Sequence, residues 1–315
     1  MKKVIVTGGA GFIGSHVVEE LLREGYEVAI IDNFSTGRKE NIAHLPVELY
    51  VCDIADPPVT RIIQSIHPDY VVHLAAQISV AQSVEDPLFD ARTNVQGSLN
   101  VMNGARYASV RKIVFASSAA VYGNPVVNPI TTAFQPDPES PYGLAKLTVE
   151  HYLQLYAKYY QLPYCVLRFS NVYGPRQDAA GEGGVVSIFA DRLHKGTPPM
   201  IYGDGEQTRD FVYVKDVARA IAAGLQTNEN VCLNVSSGTS VTINQLFAEM
   251  KEVANSDCDV FYGPERAGDI RHSCLANDQT KKVLGWRPLV PLNKGLRETL
   301  NALRKVIEAE KKTVH

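Results

Sequence analysis

The sequence lacks the patterns by which disulfide-rich or metal-binding proteins are recognised. Its five cysteines are odd in number and none stands in a Cys-x-x-Cys pair: they are Cys52, Cys165, Cys232, Cys258 and Cys274. This argues against a disulfide framework or a zinc cluster, and we expect the thiols to be reduced. The eight histidines include no His-Glu-x-x-His motif, so we predict no catalytic metal.

An excess of basic charge and a long apolar run are also missing. The 31 lysines and arginines are balanced by 34 acidic residues, for a net charge of -3, which leaves no electrostatic footprint for nucleic acid. No apolar run approaches the roughly 18 residues of a membrane-spanning helix, so we expect no membrane role. The opening MKKVIVTGG reaches glycine too early for the apolar region of a signal peptide, and we therefore predict a cytoplasmic protein.

What the sequence does contain is a regular alternation of β-branched runs and helix-length segments. With 315 residues it can bury a large core as one composite domain or as two closely joined ones. The strand-like runs are KKVIVT, YEVAIID, VELYVCD, YVVHLAA, RKIVFASS and PYCVLRFSN. Strands that are apolar on both faces and separated by helices indicate a parallel sheet covered on each side. The predicted fold class is a doubly wound α/β (Rossmann) fold.

The second half of the chain is looser in pattern and richer in glycine and proline. We predict a dinucleotide-binding domain over residues 1–171, to which residues 205–235 return, and a smaller C-terminal α/β lobe over residues 172–315 that binds substrate. The segment VKDVARAIAAGLQT is helical in period, and Thr242 is a suitable cap for the helix TINQLFAEMKEVA.

A glycine-rich stretch, TGGAGFIG, lies between the first strand and the first helix. Gly8, Gly11 and Gly14 permit a tight turn and a close approach of the backbone to a pyrophosphate. The alternative is a glycine-rich turn without a ligand. Asp32 ends the second strand and is placed to accept from both hydroxyls of an adenosine ribose, which favours NAD over NADP, although Arg38 follows closely.

A tyrosine and a lysine stand four residues apart in SPYGLAK, at the start of a predicted helix. Residues at this spacing share a helical face, so the Lys146 ammonium is expected to lower the pKa of the Tyr142 phenol. Ser117 and Ser118 fall at the carboxyl end of the fifth strand, the sheet edge where ligands bind. Each feature also has a structural explanation, as an ordinary helix tyrosine and as polar residues that cap a strand.

Taken together, these motifs and RFSNVYGPRQ resemble the extended short-chain dehydrogenase/reductase superfamily, and within it the UDP-galactose 4-epimerase group. The resemblance covers residues 4–286. It implies a tightly held NAD, a UDP-hexose substrate and a homodimer joined through residues 90–107 and 142–160. It also implies catalysis by Ser118, Tyr142 and Lys146: Tyr142 takes the proton of the 4-hydroxyl, Lys146 holds the nicotinamide ribose, and Ser118 binds the 4-oxygen.

The same resemblance assigns binding residues. The cofactor set is Gly8, Gly11, Phe12, Ile13, Gly14, Asp32, Asn33, Ser35, Thr36, Gly37, Asp53, Ile54, Leu74, Ala75, Ala76, Gln77, Asn94, Ser117, Tyr142, Lys146 and Phe169. The substrate set is Ser118, Tyr142, Asn171, Val185, Tyr202, Arg209, Arg266, Asp269 and Ser273. Two arginines suit a diphosphate because guanidinium binds phosphate in a bidentate manner; the alternative for Arg209 and Arg266 is a surface ion pair.

Some positions separate related reactions. The 4,6-dehydratases of this superfamily carry Asp-Glu where this chain has Ala119-Ala120, which argues against dehydration because alanine moves no proton. A nucleotide-sugar reductase, a UDP-glucuronate decarboxylase and a non-catalytic dinucleotide-binding protein remain alternatives. Ser273 stands where glucose-restricted members have a bulky residue, so we expect room for N-acetylated sugars.

Overall fold

The computed structural model describes residues 1–125, 127–179, 184–265 and 270–313. Its strands are β1 (Lys3–Thr7), β2 (Glu27–Asp32), β3 (Glu48–Val51), β4 (Tyr70–His73), β5 (Lys112–Ser118), β6 (Tyr164–Phe169), β7 (Asn171–Tyr173), β8 (Met200–Tyr202), β9 (Thr208–Arg209), β10 (Phe211–Tyr213), β11 (Val231–Val235), β12 (Val241–Thr242) and β13 (Phe261–Gly263). Its α-helices are α1 (Phe12–Arg23), α2 (Pro58–Ile66), α3 (Val80–Glu85), α4 (Pro87–Asp90), α5 (Gly97–Tyr107), α6 (Pro141–Tyr160), α7 (Val185–Lys195), α8 (Val214–Gln226), α9 (Ile243–Ala254), α10 (Asp278–Leu284) and α11 (Leu292–Thr313).

Seven parallel strands form the main sheet, in the order β11-β6-β5-β4-β1-β2-β3. Successive residues of β1 point to opposite faces and are fully buried on both: Val4 and Val6 join one core, Ile5 the other. Helices α1 and α8 cover the first face, and α2, α5 and α6 cover the second. The predicted doubly wound α/β fold is confirmed.

A third core belongs to the smaller lobe. Phe189 of α7, Phe247 of α9 and Leu296 of α11 pack there with Tyr173 and Tyr213 of the parallel pair β7–β10. Two further pairs, β9–β12 and β8–β13, complete the lobe. Although β11 comes late in the chain, it extends the main sheet by pairing with β6. The domain boundary at residue 171 stays a prediction.

Some predicted elements end earlier than the sequence indicated. The third strand was expected to run to Ile54 and the fourth to Ala76, whereas β3 ends at Val51 and β4 at His73. Beyond each end one amide still bonds a neighbouring strand, Cys52 N to Asp32 O and Leu74 N to Thr7 O. The chain then turns away over the sheet edge, so the following residues form loops.

The predicted strand PYCVLRFSN is divided, since β6 ends at Phe169 and Asn171 begins β7, whereas two other local predictions agree with the structure. Thr242 caps α9 and forms a capping box with Gln245, and Ser118 is the last residue of β5. One irregularity has no sequence signal: residues Ala91–Gln96, between α4 and α5, are π-helical. Among the described residues we find no helix that combines the length and the apolar character required to cross a bilayer.

Candidate active site

A cavity opens at the carboxyl edge of the main sheet, where the strand order reverses between β1 and β4. About 980 Å³ of empty volume lies within it, part of it open to solvent. All the predicted cofactor residues except Gly37, Gln77 and Asn94 line it: Gly8, Gly11, Phe12, Ile13, Gly14, Asp32, Asn33, Ser35, Thr36, Asp53, Ile54, Leu74, Ala75, Ala76, Ser117, Tyr142, Lys146 and Phe169.

The glycine loop forms the floor of the cavity at the start of α1. A Cβ atom on Gly14 would lie 2.0 Å from the carbonyl oxygen of Gly8, so only glycine lets the first turn of the helix fit against the loop. Helix α1 begins after Gly11 without a side-chain cap. Its first N–H groups are therefore available to an anion, whose charge the helix dipole also favours.

Asp32 lies beside this loop and is almost fully buried. Its carboxylate accepts from the amides of Ala10 and Phe34, at 2.9 and 2.8 Å. These bonds fix the carboxylate at the end of β2. Arg38, whose position in the sequence kept NADP as an alternative cofactor, pairs instead with Asp178 at 2.8 Å. That ion pair occupies the guanidinium which a 2′-phosphate would require.

Asp53 closes the adjacent side of the cavity. Its two carboxylate oxygens accept from Ala55 N at 2.8 Å and from Asn33 Nδ2 at 2.9 Å, while Asn33 Oδ1 accepts from Ser35 N at 3.0 Å. The loops after β2 and β3 are thus tied to each other at the point where an adenosine would lie.

Ser118, Tyr142 and Lys146 meet at the other end of the cavity. Ser118 is close enough to Tyr142 to act on the phenol, lowering its pKa, and the Lys146 Nζ lies 5.8 Å from the centre of the Tyr142 ring. Ser140 caps α6 by accepting from Gly143 N at 3.1 Å. A Cβ atom on Gly143 would lie 2.5 Å from the carbonyl oxygen of Ala120, so glycine there lets α6 approach the turn that follows Ser118.

The sequence matches the NAD dependent epimerase/dehydratase family over residues 4–235. This chain belongs to that family. It is 42% identical to a putative UDP-glucose 4-epimerase of Methanocaldococcus jannaschii, over 96% of this chain and 98% of that one. The structure of a UDP-glucose 4-epimerase from Thermotoga maritima with UDP-glucose superposes with a TM-score of 0.94 at 45% identity, covering 97% and 99% of the two chains.

A second solved structure is the UDP-N-acetylglucosamine 4-epimerase of Methanobrevibacter ruminantium in complex with UDP-N-acetylmuramic acid. Its TM-score is 0.93 at 38% identity, and the match covers 97% of this chain and 99% of that one. The resemblance to the extended short-chain dehydrogenase/reductases and their nucleotide-sugar epimerases is thereby confirmed. As a member of the epimerase/dehydratase family, the chain is an enzyme whose cofactor is NAD.

The cavity fits that cofactor by its own geometry. The uncapped start of α1 suits a pyrophosphate, and the fixed Asp32 carboxylate suits a ribose diol. Lys146 lies at the far end of the cavity, where its Nζ donates to Ala116 O at 2.9 Å.

One electrostatic expectation for this family member is wrong in the structure. The pKa of Tyr142 is not lowered by Lys146; burial raises it to about 12, with Ser118 acting to lower it and the charge of Asp90 to raise it. The Lys146 ammonium is drawn to Ala116 O and lies 5.0 Å from the centre of the Phe115 ring. Burial lowers the pKa of Lys146 itself to about 8, against the charges of Asp90 and Glu150.

Three predicted cofactor residues lie behind the cavity wall instead of lining it. A Cβ atom on Gly37 would lie 2.8 Å from Asp32 Oδ1, so Gly37 backs the carboxylate. Asn94 Oδ1 accepts from Gln77 N and Asn94 Nδ2 donates to Gln77 O, both at 2.9 Å. This pair holds the loop after β4 against the π-helical segment.

Of the predicted substrate residues, Tyr142 lines the cavity and Ser118 ends β5, whereas Asn171, Val185, Tyr202, Arg209 and Ser273 do not line it. Strand contacts bring Asn171, Arg209 and Ser273 together. Asn171 N bonds Asp210 O at 2.9 Å, and Ser273 N bonds Thr208 O at 3.2 Å. The Arg209 guanidinium donates to two backbone carbonyls, Thr208 O at 2.9 Å and that of residue 270 at 2.6 Å. It therefore joins these two segments of the smaller lobe.

The other substrate predictions are more scattered. Tyr202 ends β8, and its carbonyl oxygen accepts from Gln207 Nε2 at 2.8 Å. Val185 is the first residue of α7. Arg266 and Asp269 lie outside the described residues.

Sequence reasoning missed several residues that line the cavity: Ile31, Cys52, Ile78, Thr93 and Ala116. All five are chain neighbours of a predicted residue: Ile31, Cys52, Thr93 and Ala116 directly precede Asp32, Asp53, Asn94 and Ser117, and Ile78 directly follows Gln77. Ile78 and Thr93 belong to no motif, and only the folding of the loop after β4 against the π-helical segment brings them to the site.

Proposed function

We propose that this protein is an NAD-dependent UDP-hexose 4-epimerase that interconverts UDP-glucose and UDP-galactose through a 4-keto sugar. The observation that carries the proposal is the placement of Tyr142 and Lys146 together in the wall of the cavity that the glycine loop opens, beside the end of β5 that carries Ser117 and Ser118. The similarity of the whole chain to UDP-glucose 4-epimerases supports this choice of reaction.

In the proposed reaction, the phenolate form of Tyr142 is the base that removes the proton of the 4-hydroxyl, and Ser118 bonds the 4-oxygen and passes the proton to Tyr142. NAD held in the cavity would supply the hydride chemistry at carbon 4. Lys146 holds the nicotinamide ribose. The 4-keto sugar turns over in the pocket, and Tyr142 gives its proton back to the 4-oxygen, so that the protein and its cofactor end unchanged.

The proposed cofactor contacts follow the cavity from one end to the other. The first amides of α1, after Gly11, bind the pyrophosphate, and Asp32 accepts from the adenosine ribose. Asp53 accepts from the adenine amino group. The remaining predicted residues that line the cavity enclose the dinucleotide by contact, while Gly37, Gln77 and Asn94 support the wall.

The UDP moiety is proposed to bind in the smaller lobe. Asn171, Arg209 and Arg266 contact the diphosphate, Tyr202 and the backbone at Val185 contact the nucleoside, and Asp269 accepts from its ribose. The clustering of Asn171, Arg209 and Ser273 supports a common site. We also propose the division into residues 1–171, to which residues 205–235 return, and a lobe of residues 172–315.

Other reactions of the family have less support. A 4,6-dehydratase needs an acid after Ser118, where Ala119 and Ala120 begin a 3-10 turn. An NADPH-dependent reductase is disfavoured because Asp32 faces the ribose position and Arg38 is paired with Asp178. A decarboxylase would require an arginine placed for a substrate carboxylate, and a non-catalytic binder would have no use for the Ser118–Tyr142–Lys146 set.

We further propose that N-acetylated UDP-hexoses are substrates, because Ser273 leaves more space beside the second sugar carbon than a bulky residue would. The likeness to a UDP-N-acetylglucosamine 4-epimerase supports this extension. A homodimer and a cytoplasmic location complete the proposal. The five cysteines are all unpaired, as expected for a protein of a reducing compartment.

The decisive experiment is to incubate the purified protein with UDP-galactose, without added cofactor, and to look for UDP-glucose. Conversion supports the epimerase. A need for stoichiometric NAD(P)H with net reduction of the sugar would contradict it.

Tyr142→Phe tests the assigned base. We expect turnover to fall by about 100-fold or more, because a general base contributes about that much, while NAD remains bound. Tyr152→Phe, on the same helix, is the matched control and should keep its turnover. Full activity of Tyr142→Phe would remove Tyr142 from the mechanism.

A further inference from the structure

A carboxylate that belongs to none of the recognised motifs lies behind the wall of the cavity. Asp90 is the last residue of α4 and is only 1% exposed. It immediately precedes the π-helical segment Ala91–Gln96, a helix form that is rare and often found at functional sites. A buried carboxylate at such a position is costly unless hydrogen bonds or an opposite charge compensate for its desolvation.

The hydrogen bonds of Asp90 come from two neutral amides. Gln77 Nε2 donates to Asp90 Oδ1 at 2.9 Å, and Asn94 Nδ2 donates to the same oxygen at 2.8 Å. Gln77 directly follows Ala76, and Asn94 directly follows Thr93, both of which line the cavity. Asp90 is therefore one layer behind the dinucleotide site, and neither of its partners neutralises its charge.

The buried cation on the neighbouring helix is Lys146, which is 5% exposed; its Nζ donates to Ala116 O, so its interaction with Asp90 is through space and not a direct ion pair. Helix α6, which carries Lys146, packs against α4 and the π-helical segment. Two carboxylates act on the ammonium, Asp90 and, more weakly, Glu150. Glu150 is already paired with Arg168, at 2.9 and 2.5 Å, and accepts from Ser117 at 2.5 Å. Asp90 is the carboxylate whose charge is left for Lys146.

The other groups around Lys146 do not replace Asp90. His73 of β4 is buried between Thr7 and Ser98, and burial lowers its pKa to about 3, so it is neutral. Tyr142 is neutral near pH 7 because burial raises its pKa to about 12. Arg168 of β6 carries a positive charge, but its guanidinium is paired with Glu150.

We propose that Asp90 is the counter-charge of Lys146 and thereby a positioning residue that sets the pH range over which the enzyme works. The proposal concerns the same site and rests on the function proposed above. Asp90 touches neither substrate nor cofactor; it acts through the charge state of Lys146 and Tyr142.

The charge of Asp90 shifts the pKa of Lys146 and the pKa of Tyr142 in the same direction. Asp90 raises the pKa of Lys146 by stabilising its ammonium, and it raises the pKa of Tyr142 by repelling the phenolate. Removal of the charge therefore lowers both pKa values. Because the two groups titrate as a coupled pair, both limbs of the pH profile should move to lower pH, whichever group each limb is assigned to.

Asp90→Asn is the variant that tests this. It removes the charge but keeps Oδ1 as the acceptor for Gln77 and Asn94. We expect the profile of kcat for UDP-galactose, measured from pH 5.5 to 10, to shift to lower pH by about one unit. Glu85→Gln, an exposed carboxylate on α3, is the matched control and should not shift the profile. Asp90→Glu should restore the wild-type profile.

A second readout does not depend on turnover. The purified protein is labelled with ¹³C at the lysine ε-carbons, and the Lys146 signal, assigned through Lys146→Arg, is titrated by NMR. Asp90→Asn and Asp90→Thr, a second uncharged variant with an oxygen acceptor, should both lower its midpoint by about one unit. A merely structural role for Asp90 would reduce kcat at every pH and leave the midpoint in place, which would overturn the proposal.

The two readouts separate the two proposals. A lowered Lys146 midpoint in a protein that converts no UDP-hexose would refute the epimerase assignment and keep Asp90 as the counter-charge. An unchanged midpoint in an active epimerase would refute the role of Asp90 alone.

Discussion

The acid–base residues of this protein differ in one respect from what their spacing indicated. A spacing of four residues on a helix does bring Lys146 and Tyr142 to the same face, but the Lys146 ammonium donates to Ala116 O. Burial then dominates the phenol and raises its pKa to about 12. A short motif predicts that two groups are neighbours, whereas the direction of a pKa shift depends on everything that surrounds both.

At the same scale, Ser273 should decide which sugars are accepted. We expect Ser273→Tyr to lower kcat/KM for UDP-N-acetylglucosamine relative to UDP-galactose by at least about tenfold, because added bulk in a pocket discriminates by about that much. The measurement is the ratio of the two constants. Ser273→Ala, which stays small, should leave the ratio unchanged. No detectable turnover of the acetylated sugar by the wild type would refute the broad specificity.

At the scale of elements, the loop after β7 is attached to both sides of the glycine loop. His16 of α1 bonds Pro175 O at 3.0 Å, and Arg176 pairs with Glu19 of the same helix. Burial acts to raise the pKa of Glu19, but the side chains of His16 and Arg176 together lower it to about 2. The Arg38–Asp178 ion pair, which we call the clasp, joins this loop to the cofactor-binding loop after β2.

The clasp should slow the release of NAD. Both of its side chains are about half exposed, and such pairs contribute about 1 kcal/mol or less, which limits the effect to about fivefold. We expect Arg38→Asp to speed the loss of NAD from the purified protein by up to that factor. The reversed pair, Arg38→Asp with Asp178→Arg, should recover most of it.

Arg111 and Asp69 provide the matched control for the clasp. They form an exposed ion pair at 3.0 Å, and neither residue lines the cavity. Arg111→Asp should leave the release rate as it is. Equal acceleration by both single variants would show that lost surface charge, and not the clasp, controls retention.

At the scale of the whole molecule, the predicted dimer helices present apolar side chains to solvent. Leu144, Leu155 and Tyr159 of α6 recur at helical spacing and are 55%, 44% and 65% exposed, and Tyr107 of α5 is 52% exposed. Monomeric proteins rarely expose a contiguous apolar face. This supports the proposed homodimer through α5 and α6.

Leu155→Glu should therefore convert a dimer into a monomer, because a carboxylate at the centre of the apolar stripe would be buried unpaired. The molar mass in solution, measured by light scattering after gel filtration, distinguishes the two. Val306→Glu changes an equally exposed apolar residue on α11 and should remain dimeric. A monomeric wild type would contradict the interface.

The order of the main elements and the position of the cofactor cavity could be read from the sequence. Both depend on local patterns: the central residues of a buried strand such as β1, Val4 to Val6, are all apolar, and the glycine loop needs its spacing for close backbone contact. Element ends were less predictable, since β3 and β4 stop where pairing with their neighbours stops.

The sequence by itself determined the fold class, the dinucleotide loop and the Ser118, Tyr142 and Lys146 set, because each is written in neighbouring residues. Only the tertiary structure decided that Lys146 faces a carbonyl, that Arg38 is engaged by Asp178, and that Asp90 stands behind the cavity. These facts depend on contacts between residues far apart in the chain and on burial, and both exist only after folding.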